Sequence, residues 1–343
     1  VPLALVTAGG IAGSAWAAYG QGWVLPLVQP LVAMALVLGT VLLARAASAE
    51  RERRWLRTAF GHYLAPSVLE EVLRAPDKLR LGGERRRMTV LFSDIAGFTT
   101  LSEKLPPEEV SALLNGYLDL MVACVAQSGG TLDKFVGDAV MAEWNAPLAQ
   151  PDHAARACET ALLMLEKVNL HRAAWQAAGG ALDIRIGINS GDMVVGNMGS
   201  NMRFDYTVMG DNVNLSSRLE GINKEYGTHI VISEFTYEVV KEEVFCRELD
   251  AVRVKGKKLP VKIYELICER KDAAEHEEYI GRFHAGLAHY KAAHWDEGIA
   301  AFKSVLEIRP DDPPAKLYIQ RCQDLKENPP EGEWDGVFTM TRK

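Results

Sequence analysis

Charge is missing from one end of this chain: no Asp, Glu, Lys or Arg precedes Arg45. An uncharged run of that length excludes an ordinary solvated segment. Cysteine is sparse. The five present (Cys124, Cys158, Cys246, Cys268 and Cys322) are widely spaced and never form C-x-x-C. That excludes a disulfide or zinc framework and predicts reduced core thiols. Base is not in excess: 38 Lys and Arg against 45 Asp and Glu leave a net charge of −7. A general nucleic-acid binder needs the opposite balance, so no nucleic-acid partner is expected. No G-x-x-x-x-G-K-[ST] segment occurs, which excludes a P-loop enzyme.

What is present begins with two apolar stretches, about 3–19 and 23–44, on either side of "GQG". A membrane span needs about 20 apolar residues. The second stretch meets this and the first is short. A signal peptide fits poorly, because the apolar region is too long and no basic residue precedes it. Residues 1–44 therefore read as two transmembrane helices in contact with membrane lipid; a buried soluble hairpin is the alternative. Arg45, Arg51, Arg53, Arg54 and Arg57 follow at once. By the positive-inside tendency they place the remainder in the cytoplasm of a multi-pass cell-membrane protein. The chain begins with Val rather than Met, so an upstream segment is expected. Residues 45–85 read as a helical connector, with Leu56, Phe60, Tyr63 and Leu64 at helical spacing. Pro66 interrupts it, and "SVLEEVLRA" reads as a second short helix. Parallel pairing of two connectors and a plain amphipathic linker are both open.

Residues 86–268 read as the main domain. "RMTVLFSDI" is a buried strand and "PPEEVSALLNGYLDLMVACVAQ" a helix with Pro near its start. "TLDKFV" and "AVMAEW" are strands joined at Gly137-Asp138, and "DHAARACETALLMLEKV" is a helix. "ALDIRIGINS" and "DMVVGNMG" read as a hairpin. A helix over 211–226, the strand "HIVIS" and a basic hairpin, "AVRVKGKKLPVKIYEL", complete it. The predicted fold class is α+β. Its first half runs β-α-β-β-α-β, the ferredoxin-like pattern, with helices on one face of an antiparallel sheet. Residues 269–343 read as a tetratricopeptide-like helical segment and a polar tail. One such repeat cannot bury its own face and should pack on a neighbour.

Asp138 alone is a turn residue, because Gly-Asp commonly links two strands. Asp94, at the end of "VLFSD", alters that reading. The first strand is expected beside the hairpin strand that starts at Thr131, which brings both acids to one edge. Two carboxylates there repel unless a cation lies between them. Mg²⁺ takes one or two carboxylates plus substrate phosphates, and a two-metal phosphoryl-transfer site fits.

"VLFSDIAGFTTLSE", "DKFVGDAVMAEW" and "YTVMGDNVNLSSRLE" together resemble the signature segments of class III nucleotide cyclases. The flanks are similar to bacterial membrane-anchored cyclases that carry a CHASE-type sensor. The resemblance implies a role for each matching residue. Asp94 and Asp138 match the metal-binding aspartates, and the Ile95 carbonyl an added metal contact, for two Mg²⁺ (or Mn²⁺) per site. Lys134 matches the lysine that reads adenine, and Thr207 its partner in the Thr-bearing class IIIb subgroup. Asn214 matches the ribose-orienting asparagine, Arg218 the arginine on the α-phosphate, and Lys255 the lysine on the terminal phosphates. The implied activity is conversion of ATP to 3′,5′-cyclic AMP and pyrophosphate.

Each residue has an ordinary reading when taken alone. Lys134 is then a solvated strand residue, Thr207 a strand residue and Lys255 a turn charge. Arg218 would pair with Glu220 or Glu225. In this family the metal aspartates act from one subunit and the other groups from its partner. A chain carrying both sets implies a homodimer with a second copy of itself. A guanylate cyclase and a degenerate nucleotide-binding signalling module are the alternatives.

Overall fold

Apolar sequence without charge becomes helix at the start of the chain. In the computed structural model, α1 spans Pro2–Gly20 and α2 spans Val28–Phe60. The structure describes residues 2–22, 28–60, 68–69, 81–177, 180, 182–253, 260–329, 334, 336 and 338–339. The chain divides into two units, Val1–Arg74 and Ala75–Lys343. In the first, the Thr7 hydroxyl donates to Met34 Sδ at 3.3 Å, joining α1 to α2. α2 runs without a break from the second apolar stretch into the charged region, where Arg54 pairs with Glu50 at 3.1 Å. Among the described residues, two helical segments are long and apolar enough to cross a membrane: Leu31–Ser48 and Pro107–Gln127. The second is a core helix with five buried side chains. Tyr63, Leu64, Pro66 and most of "SVLEEVLRA" lie outside the described residues.

The second unit has β1 (Gly82–Ile95), α3 (Phe98–Ser102), α4 (Pro107–Gln127), β2 (Thr131–Val136), β3 (Ala139–Trp144) and α5 (His153–Ala177). It continues with β4 (Ile184–Gly199), β5 (Phe204–Met209), α6 (Asp211–Tyr226), β6 (Ile230–Ser233), α7 (Glu234–Val240), β7 (Val244–Arg253) and β8 (Val261–Glu269). Three helices follow, α8 (Glu277–Lys291), α9 (Trp295–Ile308) and α10 (Pro313–Glu327), then β9 (Phe338–Thr339). Among the described residues the strands form one sheet in the order β2-β3-β1-β4-β6-β8-β7-β9, with β5 paired to β4.

Two expectations are corrected. β1 lies beside β3, not beside the strand that starts at Thr131: Ser93 pairs with Val140 and Phe92 with Met141. Among the described residues β2 is an edge strand, paired with β3. The proposed hairpin between "ALDIRIGINS" and "DMVVGNMG" is instead one 16-residue strand, β4, paired with β1 from Gly82↔Asn197 to Ile95↔Ile184. Gly191 resembled a turn residue. Its real constraint is space, since a Cβ there would lie 2.5 Å from the Asn212 side chain. The turn falls later, between β4 and β5. The β-α-β-β-α-β half is antiparallel throughout, as expected; beyond it β4 and β6 run parallel.

The sheet has two differently covered faces. Leu91, Ile95, Val140, Ile186, Ile230 and Ile232 pack under α4 and α5. Alternate residues point the other way. There, Val231, Leu249 and Ile263 meet Leu215, Leu219 and Ile222 of α6 and the C-terminal helices. Met88, Val90, Phe92 and Met141 on that same face meet Val195 and Val208 of the β4–β5 hairpin. Trp144 is fully buried, and the buried His153 shares a 2.6 Å hydrogen bond with Thr89, so both serve packing. All five cysteines are free.

The C-terminal helices are joined to the sheet by buried ions. Arg247 of β7 grips Asp312 through two bonds of 2.8 and 2.9 Å and also reaches Glu265. Asp312 caps α10 as well, accepting from Ala315 N at 2.9 Å. Arg321 meets Asp250 at 2.8 Å, and the Tyr226 hydroxyl donates to the same carboxylate at 2.6 Å. Removing one partner of a buried pair strands the other charge. Arg321→Ala should therefore lower unfolding stability by about 3–5 kcal/mol, read from urea midpoints.

Glu143 on β3 is fully buried, and burial, then the charge of Asp133, hold its carboxyl well above its ordinary value of 4.5. The folded state thus binds this proton more tightly than the unfolded chain. Its contribution is complete below about pH 4.3 and declines as pH rises above that. Glu143→Gln should gain stability over wild type progressively from pH 5 to pH 8, with no gain near pH 4. Thermal melts across that range measure it.

Candidate active site

The two acids meet as the strand register requires. Asp94 is the penultimate residue of β1, and Asp138 sits in the β2–β3 turn, where Gly137 takes a left-handed φ of 68°. Ile95 N donates to Asp138 Oδ2 at 3.3 Å. Burial raises the Asp94 carboxyl to about 7, and Asp138 adds to this by hydrogen bond and by charge; Glu220 contributes a smaller charge effect. Glu220 is itself raised by burial, an effect opposed by Arg185 and reinforced by Asp138. Arg185 stands opposite Asp94 in the β1–β4 register. Repelling carboxylates with only oxygen donors suit a hard divalent cation. Asp94, Asp138 and the Ile95 carbonyl fit that group. Among the described residues no cluster of three or more His, Cys, Asp or Glu offers another site.

Lys134 and Thr207 are far apart in sequence and adjacent in space: Lys134 Nζ donates to Thr207 Oγ1 at 3.1 Å. Lys134 pairs with Met141, which lies on the face shared by Phe92 and, by alternation, Asp94. The Lys134–Thr207 pair and the acidic pair therefore open on the same side of the sheet. Asp133 was not foreseen. Its Oδ2 accepts from the Thr207 hydroxyl at 2.6 Å, and its Oδ1 is 3.2 Å from Lys134 Nζ. Strict alternation sends residues 133 and 134 to opposite faces, so the sequence gives no signal for it. A register shift between Leu132 and Lys134 brings both to one hydroxyl.

Asn214 and Arg218 are carried by α6, and its seating is tightly specified. A Cβ on Gly187 would lie 2.1 Å from Glu220 N, so only glycine lets the helix rest on β4. The Ser216 hydroxyl reaches Val90 O at 2.6 Å and Gly187 O at 3.1 Å. Asn223 Nδ2 donates to Ile186 O at 2.9 Å. These inward residues leave Asn214 exposed and Arg218 half-buried on the outer side. Arg218 forms no ion pair with Glu220 or Glu225, so the ordinary pairing expected of it is absent. Lys255 lies outside the described residues.

Comparison with known proteins agrees with this geometry. Over 184 residues the chain is 43% identical to adenylate cyclase 1 of Rhizobium meliloti (strain 1021), a match covering 53% of this chain and 28% of that protein. The chain thus spans well under two thirds of that relative's length. The crystal structure of the adenylyl cyclase CyaB from P. aeruginosa is 41% identical with a TM-score of 0.53, covering 56% of this chain and 99% of that one. The guanylyl cyclase Cya2 is 38% identical with a TM-score of 0.53, covering 57% and 98%. Residues 83–268, more than half the chain, match the adenylate and guanylate cyclase catalytic domain, and the chain belongs to that family.

Proposed function

We propose that this chain is a membrane-anchored adenylate cyclase of the Thr-bearing type, working as a homodimer. The Lys134–Thr207 contact carries the choice of ATP. A lysine ammonium donates and cannot accept. It meets adenine N1, an acceptor, and opposes guanine N1–H, a donor. The fold matches the guanylyl cyclase Cya2 as well as it matches CyaB, so GTP is the competing substrate.

In the proposed reaction the ribose 3′-hydroxyl attacks the α-phosphorus and pyrophosphate leaves in line. Asp94, Asp138 and the Ile95 carbonyl hold the Mg²⁺ or Mn²⁺ ions, whose chemistry would be to acidify the hydroxyl and neutralise phosphate charge. Asn214 orients the ribose. Arg218, which has no acid partner among the described residues, offers its guanidinium fork to the α-phosphate oxygens as charge develops there. Lys255 is assigned to the terminal phosphates. The uncovered strands support pairing with a second copy: Phe135, Val136, Val194, Phe204 and Met209 are all exposed there. In a two-fold pair each copy gives its acids to one site and its base-reading and phosphate groups to the other. The Leu31–Ser48 segment supports membrane anchoring, with Arg45 and its neighbours on the cytoplasmic side.

Asp94→Ala and Arg218→Ala should each lower cyclic AMP formation by about 10²–10³-fold, measured as product from ATP with Mg²⁺ or Mn²⁺. Undiminished turnover in Asp94→Ala would show that the acids do not hold the metal. Coexpressed in equal amounts, the two inactive variants should recover about a quarter of wild-type activity, since half the dimers are mixed and each holds one intact site. No recovery would argue for sites built within one copy.

A further inference from the structure

A threonine hydroxyl both donates and accepts, so on its own it reads a purine edge ambiguously. Thr207 is not on its own. Its Oγ1 lies 2.6 Å from Asp133 Oδ2, a carboxylate that can only accept. The Thr207 proton is therefore committed to Asp133. The Asp133 side chain is itself fully buried, held by Lys134 Nζ at 3.2 Å from its Oδ1 and by Val208 N at 3.4 Å from its Oδ2. With the proton turned inward, only the lone pairs of Oγ1 are available to a ligand. Lys134 takes one at 3.1 Å, which leaves one acceptor site.

We propose that Asp133 is a specificity-determining positioning residue, which fixes the Thr207 hydroxyl as an acceptor and so selects a 6-aminopurine over a 6-oxopurine nucleotide. The inference rests on the reading of Lys134 and Thr207 as the base-reading pair. An adenine edge offers N6–H to the Thr207 lone pair and its N1 lone pair to Lys134. A guanine edge sets O6 against that lone pair and N1–H against the ammonium, so both polarities are wrong. Without Asp133 the hydroxyl rotates freely and donates to O6, and one of the two mismatches disappears.

Neighbouring groups are consistent with this arrangement. Burial, and then the charge of Asp133, hold the carboxyl of Glu143, the other one nearby, well above its ordinary value. The β2 bulge is what allows consecutive residues to reach the same side chain. Asp133 touches Thr207 and Lys134 from behind and acts on the nucleotide only through them.

The test is the ratio of kcat/KM for ATP to that for GTP, taken on single preparations of wild type, Asp133→Ala and Asp133→Leu. Because both substrates see the same protein, partial unfolding cancels from the ratio, and the leucine variant keeps the volume if alanine leaves a void. One hydrogen bond corresponds to about a tenfold change. The ratio should fall by about that factor in either variant. In a Thr207→Val background, where no hydroxyl remains to be aimed, Asp133→Ala should leave the ratio where Thr207→Val put it. An unchanged ratio in a folded Asp133→Ala or Asp133→Leu protein that still prefers ATP overturns the proposal while leaving the cyclase reading intact. A further fall in the valine background also overturns it. Wild type that makes no cyclic nucleotide, or that prefers GTP, removes the base-reading assignment itself and the proposal with it.

Discussion

Gly187 has no side chain, and α6 lies where one would be. Helix backbone 2.1 Å from an imagined Cβ leaves no room for any other residue without moving the helix off the sheet. Ser216 and Asn223 then convert proximity into register by bonding to strand carbonyls at Val90, Gly187 and Ile186. The far end of α6 is fixed through Tyr226, whose hydroxyl shares Asp250 with Arg321. Asn214 and Arg218 inherit their positions from this seating. Every group assigned to the ribose and α-phosphate depends on a helix held from below by a missing methyl group.

The two faces of the sheet divide the labour of folding and chemistry. Under α4 and α5, apolar side chains alternate with outward ones and the core is continuous. On the opposite face, α6 and the C-terminal helices cover the β4-β6-β8-β7 side, and α6 also reaches β1. Asp94, Asp138, Lys134 and Thr207 stand at the border of that cover, beside Arg185 of β4 and Glu220 of α6. Charges crowd there in a way a stable core would avoid, as the shift of Asp94 to about 7 records. Groups perturbed by burial and by one another mark places where structure has been set against stability for function.

Much of this was legible from the order of residues. The Gly137-Asp138 turn, the helix over 211–226 and the βαββαβ order follow from periodicity and turn chemistry, and the structure has them. The errors have physical causes. Gly191-Asp192 looks like a turn because glycine's freedom and its small size leave the same mark in a sequence. The neighbour of β1 could not be chosen, because alternation specifies which face a residue takes and not which strand lies beside it. Asp133 was invisible because a bulge breaks the alternation that would have excluded it. α7 was missed as a short helix between two strands. The C-terminal segment is helical and packs on a neighbour as expected; what no local pattern announces is how its three helices are joined to the sheet, through the Arg247–Asp312 and Arg321–Asp250 ion pairs.

α2 combines two kinds of sequence in one rod. Its 33 residues make a cylinder about 50 Å long, with an apolar section from Leu31 and a charged end at Phe60. A rod of this kind bends little and conserves azimuth. Turning its apolar section by the width of one residue swings the charged end through the same angle, about 100°, with no slack joint between them to absorb the motion.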